Sequence, residues 1–140
     1  MRVYVDMVAD LLHRGHVEFL RKARVIAYSD DSSPWLIVGL HSDETTAGYK
    51  RKPILALEDR ALVVSALRDV DQVVLDAPLV ITAEFLGEYC IGRVVHGDDM
   101  TDTLSIAYAV PISMGIFTTV PYYKGVSTTE IIRRVAYESD

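Results

Sequence analysis

Short apolar runs alternate along this chain with stretches whose apolar positions recur at helical spacing. Runs at Arg2–Val5, Trp35–Leu40, Asp71–Leu75, Arg93–His96 and Ile116–Val120 have the length and β-branched content of strands. Trp35-Leu-Ile-Val-Gly-Leu40 is apolar throughout, as a strand covered on both faces requires. After the first run, Val17, Leu20 and Ala23 recur at three-residue steps, with Glu18 and Lys22 four apart on a polar side. That spacing predicts a helix to about Ile26. Glu58–Leu67, with Leu62, Val63, Ala66 and Leu67 on one face, and Thr82–Tyr89 predict two more. Residues 102–110 read as a short helix broken at Pro111. Residues 127–135 read as a final helix opened by a capping box, Ser127 with Glu130. Asp30–Pro34 is a polar turn, and His41–Pro53 reads as a mobile loop.

Strands separated by helices imply parallel pairing through right-handed crossovers, with helices on both faces. The expected fold is therefore α/β: a Rossmann-like three-layer sandwich around a parallel sheet of about five strands. Residues 1–140 are expected to form one domain, since no repeat, linker or low-complexity run divides them. Ligands of such sheets bind beyond the carboxyl ends of the strands, at a topological switch point. His13, His16, His41, Asp98 and Ser127 all follow predicted strands, so they gather on that edge.

Composition narrows the partners. Half of the 140 residues are apolar and 24% are charged, as in an ordinary soluble domain. No apolar run reaches membrane-spanning length, and the first residues lack a signal-peptide pattern. Cys90 is the only cysteine, which excludes a disulfide framework and points to a reducing, cytoplasmic setting. A net charge of −6 argues against nucleic acid as a partner. A small anion needs only local donors.

Asp10-Leu-Leu-His13-Arg-Gly15-His16 supplies them where a strand turns into a helix N-terminus. Amides without partners and the helix dipole favour an anion there, and Gly15 leaves room for close approach. Read alone, His-x-Gly-His fits a phosphate cradle, a metal pair or two core-edge histidines. A nucleoside triphosphate lying across the edge accounts for the other residues as well. His13 and His16 donate to it, Lys50 closes over the α-phosphate on its loop, and Ser127, Thr128 and Thr129 hold the β- and γ-phosphates. Asp98 and Asp99, which only accept, suit a base amino group or ribose hydroxyls. Asp10 either joins the nucleotide site or braces the turn. Magnesium is expected with the triphosphate, held mostly by phosphate and water, with no metal site of the protein's own.

Asp10-Leu-Leu-His13-Arg-Gly15-His16 and Gly125-Val-Ser127-Thr128-Thr129-Glu-Ile-Ile resemble the two signature motifs of the cytidylyltransferase family of His-x-Gly-His nucleotidyltransferases. Between them, His41-Ser-Asp-Glu followed by Lys50 is similar to the family's lysine loop. Glu58-Asp-Arg60, Ala77-Pro78 and His96-Gly97-Asp98-Asp99 fall in the family's order. The likeness is strongest to ethanolamine-phosphate cytidylyltransferases, which make CDP-ethanolamine from CTP and phosphoethanolamine and release pyrophosphate; relatives use phosphocholine or glycerol 3-phosphate. The resemblance implies that His13, His16 and Lys50 are catalytic and that Val8 and Ala9 meet the nucleotide through their backbone. It places His96, Gly97, Asp98 and Asp99 near the cytidine, and Gly125, Ser127, Thr128 and Thr129 on phosphates. It further implies a homodimer. Three positions depart from the pattern: Met7 stands where the family commonly has glycine, narrowing a phosphate-facing turn, Ala9 where it commonly has an aromatic, and Tyr122 where an arginine usually precedes the last motif. Lys124 and Arg133 are the candidates to replace that cation. A nucleotide-binding or dimer-forming domain with weakened catalysis, and an adenylyltransferase of the same superfamily, are the alternative readings.

Overall fold

The five runs pair side by side because neighbouring backbones satisfy their amides. The inner runs are largely buried on both faces, while the two edge runs keep positions such as Leu75 and Thr119 exposed. The computed structural model describes residues 1–137. Its elements are β1 (Arg2–Met7), α1 (Arg14–Ile26), β2 (Trp35–Leu40), α2 (Asp43–Ala47), α3 (Leu57–Ser65), β3 (Gln72–Leu75), α4 (Ala83–Glu88), β4 (Arg93–Gly97), α5 (Asp102–Ala107), α6 (Ala109–Ser113), β5 (Phe117–Val120) and α7 (Thr128–Tyr137). The strands form one sheet in the order β3-β2-β1-β4-β5, and all pairs are parallel. This is the Rossmann-like three-layer arrangement read from the sequence. Val3 and Val5 face one apolar cluster with Leu20 and Ala23 of α1 and Val64 of α3. Tyr4, pointing the other way by the period of two, joins Ile81, Leu86 of α4, and Ala107 and Tyr108 beside α5.

The strand order reverses between β1 and β4, and there the ladder is short. β1 pairs with β2 along its whole length, Arg2 to Met7, but with β4 only through Val3 and Tyr4. Past those residues the two strands part, and a crevice opens at their carboxyl ends. The outer strands keep their partners, so the opening is local.

Four elements differ from the sequence reading. β1 runs on to Met7, which lies in register with Leu40 and packs against the core, so Met7 occupies a strand and not a tight turn. The expected loop His41–Pro53 contains α2, five residues with no apolar stripe to announce it. Its start is a side-chain cap: Ser42 Oγ accepts from the Thr45 amide at 3.0 Å. The helical break falls at Tyr108, not Pro111; Pro111 sits in the first turn of α6, where an amide would lack a helical acceptor anyway. The box at α7 is half formed. Ser127 Oγ accepts from the Glu130 amide at 3.1 Å, while the Glu130 carboxylate turns outward to Arg133 and Arg134.

Arg60 of α3 ties the edge together. It is fully buried, and its guanidinium donates to Leu55 O at 3.0 Å, Val8 O at 2.6 Å and Asp43 Oδ1 at 2.7 Å. Asp10 works from the opposite side, accepting from the Ile54 and Leu55 amides at 2.7 and 3.0 Å. The segment carrying Lys50 is thus pinned at α2 and again at residues 54–55. Arg60→Met removes a buried cation from one carboxylate and two carbonyls. It should lower stability by about 3–5 kcal/mol, read as a lower urea midpoint, with Arg60→Lys intermediate. An unchanged midpoint for Arg60→Met would remove the guanidinium from this role.

Candidate active site

The turn after β1 leads the chain through left-handed backbone at Ala9 (φ 57°) and Leu11 (φ 49°), conformations that side chains disfavour unless their surroundings enforce them. Arg60 on Val8 O and the Asp10 bonds to residues 54 and 55 enforce them here. The helix then starts with an unusual cap. His13 Nδ1 accepts from the Gly15 amide at 3.0 Å, and His16 Nδ1 accepts from the His13 amide at 3.1 Å. The two imidazoles thus form a reciprocal capping box of their own. A ring that accepts at Nδ1 carries its neutral-state proton on Nε2, so both histidines present an Nε2–H. Their centroids lie 4.1 Å apart.

Both rings are biased against charge. Burial lowers His13; burial, then the neighbouring His13 ring and the Lys50 ammonium, hold His16 down to about 4. At neutral pH the pair is therefore two uncharged donors. Gly15 also serves the cap itself. A Cβ there would come 2.7 Å from His13 Cε1 and 3.0 Å from Nδ1, so the glycine makes room for the folded-back imidazole.

These rings line a cavity of about 810 Å³ in the crevice between β1 and β4. Val8, Ala9, Asp10 and Gly15 form the wall on the β1 side, with Lys50 above them. His96, Gly97 and Asp99 face it from β4, and Ser127, Thr128 and Thr129 from the start of α7. Asp98 and Gly125 do not line it. Asp98 Oδ1 accepts from the Tyr122 amide at 2.9 Å, and Gly125 lies against the Tyr123 ring, which a Cβ would strike. The threonines join distant segments: Thr128 Oγ1 donates to Asp10 O at 2.8 Å, and Thr129 Oγ1 accepts from Arg51 at 3.2 Å. Desolvation against the wall, then Arg51, lowers the Lys50 ammonium, with Asp10 and Asp99 opposing.

The sequence reading missed a buried polar chain beneath this cavity. Asp6 is only 6% exposed and lies on the same face of β1 as Tyr4. One carboxylate oxygen accepts from the Tyr108 hydroxyl; the other is 3.4 Å from His41 Nε2, and His41 Nδ1 is 2.8 Å from the Tyr49 hydroxyl. Asp6, His41, Tyr49 and Tyr108 all line the cavity. Burial first, and then Asp6, raises the Tyr108 phenol, and burial pushes Tyr49 up to about 12, so both remain donors. The available signal was an acid at the end of an apolar run, which period two turns inward. Among the described residues, no three His, Cys, Asp or Glu side chains converge as metal ligands, and both histidine Nδ1 atoms are already engaged.

Comparison with known proteins gives the family and the fold. The cytidylyltransferase-like family model matches residues 8–134. Ethanolamine-phosphate cytidylyltransferase of Arabidopsis thaliana is 38% identical over 140 residues, which cover 95% of this chain and 32% of that protein. The Mus musculus enzyme of the same name is 36% identical, covering 96% of this chain and 32% of its own. Human choline-phosphate cytidylyltransferase A is 34% identical, covering 100% and 38%. The chain thus spans about a third of the length of the curated relatives it matches. A solved structure, the lipopolysaccharide core biosynthesis protein of Thermoplasma volcanium, superposes with a TM-score of 0.71 at 21% identity, covering 89% of this chain and 98% of its own. It shares the fold.

The histidine box has a pH signature. Protonating His16 requires Nδ1, the atom that accepts the His13 amide, so charge and cap compete. Its folded value is depressed, so the unfolded chain binds the proton more readily and stability rises with pH across that interval. The His16 contribution should be complete above pH 6.5 and lost as pH falls toward about 4, on the order of 2–3 kcal/mol. Urea midpoints across this window should fall more steeply for the wild type than for His16→Asn. Matching slopes would refute the depressed value.

Proposed function

The chain belongs to the cytidylyltransferase-like family, and from that premise we propose that it transfers CMP from CTP to a small phosphorylated amino alcohol, phosphoethanolamine first. One observation carries the proposal. Two neutral Nε2–H donors, the Lys50 ammonium and the start of α7 share a single cavity at the switch point of the sheet. A phosphate oxygen of the acceptor attacks the α-phosphorus of CTP. The new O–Pα bond forms as the bridge to the β-phosphate breaks, and its electron pair leaves with pyrophosphate. Negative charge grows on the non-bridging and leaving oxygens, so preorganised donors aimed at them lower the barrier.

His13 and His16 supply such donors without having to lose a proton. Lys50, whose ammonium burial and Arg51 disfavour, regains its preference for charge with phosphates beside it, and it bridges the α-phosphate and the acceptor phosphate. Magnesium enters with the triphosphate as part of the substrate. His96, Gly97 and Asp99, with the Val8 and Ala9 backbone, take the cytidine side. Asp6 supports the amine: its carboxyl group reaches the cavity wall beside Tyr108 and suits an ammonium better than the hydroxyls of glycerol phosphate. A primary ammonium also has N–H donors for the carboxylate, which a quaternary one lacks. The homodimer and cytoplasmic location implied by the family resemblance belong to the same reading.

The test is pyrophosphate release from CTP, magnesium and phosphoethanolamine. Release should depend on the acceptor and fall about a hundred- to a thousandfold in His16→Ala. Asp6→Asn should raise KM for phosphoethanolamine more than for CTP. Release with ATP in place of CTP would favour an adenylyltransferase. A CTP-dependent rise in Tm with no release would leave a binding domain.

A further inference from the structure

The cavity is poor in fixed cations for a site that must hold a triphosphate. Among the described residues that line it, the lysine and arginine side chains are Lys50 and Arg51 alone, set against the carboxyl groups of Asp6, Asp10 and Asp99. The other cations near α7 are committed elsewhere. Arg133 holds Glu130 on the outside of the helix at 2.9 Å, Arg134 shares that carboxylate at 3.2 Å, and Lys22 donates to Pro121 O at 3.0 Å. Arg14 lies over the Tyr123 ring. Tyr122, at the cavity mouth, offers a hydroxyl and no charge. Arg133, one of the two cations expected from the sequence to compensate, is therefore occupied. Lys124, the other, lines a separate hollow beside α7 and is absent from the cavity wall.

Arg51 stands differently. It follows Lys50 directly, on an arc pinned at both ends, and reaches across the mouth to Thr129. That hydroxyl takes one of the five N–H donors of the guanidinium, leaving a planar fork beside the first turn of α7. We propose that Arg51 grips the terminal phosphates of the triphosphate against the start of α7, exchanging its hydroxyl partner for phosphate oxygens. Lys50 and Arg51 then divide the substrate between them, the ammonium at the reacting α-phosphate and the guanidinium at the departing pyrophosphate. This inference rests on the nucleotidyl-transfer reading and assigns a further residue within it.

Titration calorimetry with CTP, CMP and inorganic tripolyphosphate tests it on the wild type, Arg51→Ala and Arg51→Lys. Arg51→Ala should weaken CTP and tripolyphosphate about ten- to a hundredfold and leave CMP within about twofold, since CMP lacks the phosphates concerned. Arg51→Lys should recover part of the loss, because an ammonium cannot bind as a fork. In turnover, KM for CTP should rise while KM for phosphoethanolamine holds. Unchanged CTP affinity in Arg51→Ala would overturn the proposal, as would an equal loss for CMP. Failure of the wild type to bind CTP would instead overturn the reading beneath it.

Discussion

The site depends on one buried cation. The Arg60 guanidinium has no access to water, so its charge is tolerable only while Val8 O, Leu55 O and Asp43 all accept from it. Those acceptors belong to three separate segments: the turn that carries the histidines, the stem of the lysine arc and the short helix before it. Satisfying one side chain thus sets the mutual position of His13, His16 and Lys50. Asp10 repeats the linkage from its own side, and its backbone carbonyl receives the start of α7 through Thr128. Chemistry at this edge is assembled largely by side-chain hydrogen bonds to backbone, and Arg60, the most buried of the side chains that do the assembling, does not line the cavity.

The histidines carry the same economy further. Their Nδ1 atoms close the first turn of α1, which leaves the Nε2 protons free, and both rings line the cavity. One tautomer therefore serves the fold and the proposed transfer alike. Gly15 belongs to this device, because any larger residue would push the His13 ring out of its cap. The left-handed turn at Ala9 and Leu11 is what aims α1 so that both rings reach the crevice.

The layers, the parallel pairing and the histidine turn were legible because each rests on a pattern within a few residues: an apolar run, a helical stripe, His-x-Gly-His. Most of the residues read as site residues do line one cavity. Asp98 and Gly125 do not, since a turn acid and a glycine look the same whether they face a ligand or brace a loop. The polar chain from Tyr108 through Asp6 and His41 to Tyr49 was illegible because its members are brought together only by the sheet. Arg60 was hidden for the same reason; an arginine in a helical stretch reads as solvated until its acceptors are known. The helix α2 escaped because a cap and five residues carry no periodicity.

The short ladder between β1 and β4 sets who shapes the pocket. The gap comes from two backbones diverging after Val3 and Tyr4, so its jaws stand whatever side chains upholster them. Leu79, Val80 and Leu104 face that space without belonging to any strand. They can be exchanged for bulkier or more polar neighbours while every strand keeps its partners. A scaffold of this kind lets a lineage re-tailor what the pocket admits and leave the histidine turn and the lysine arc untouched.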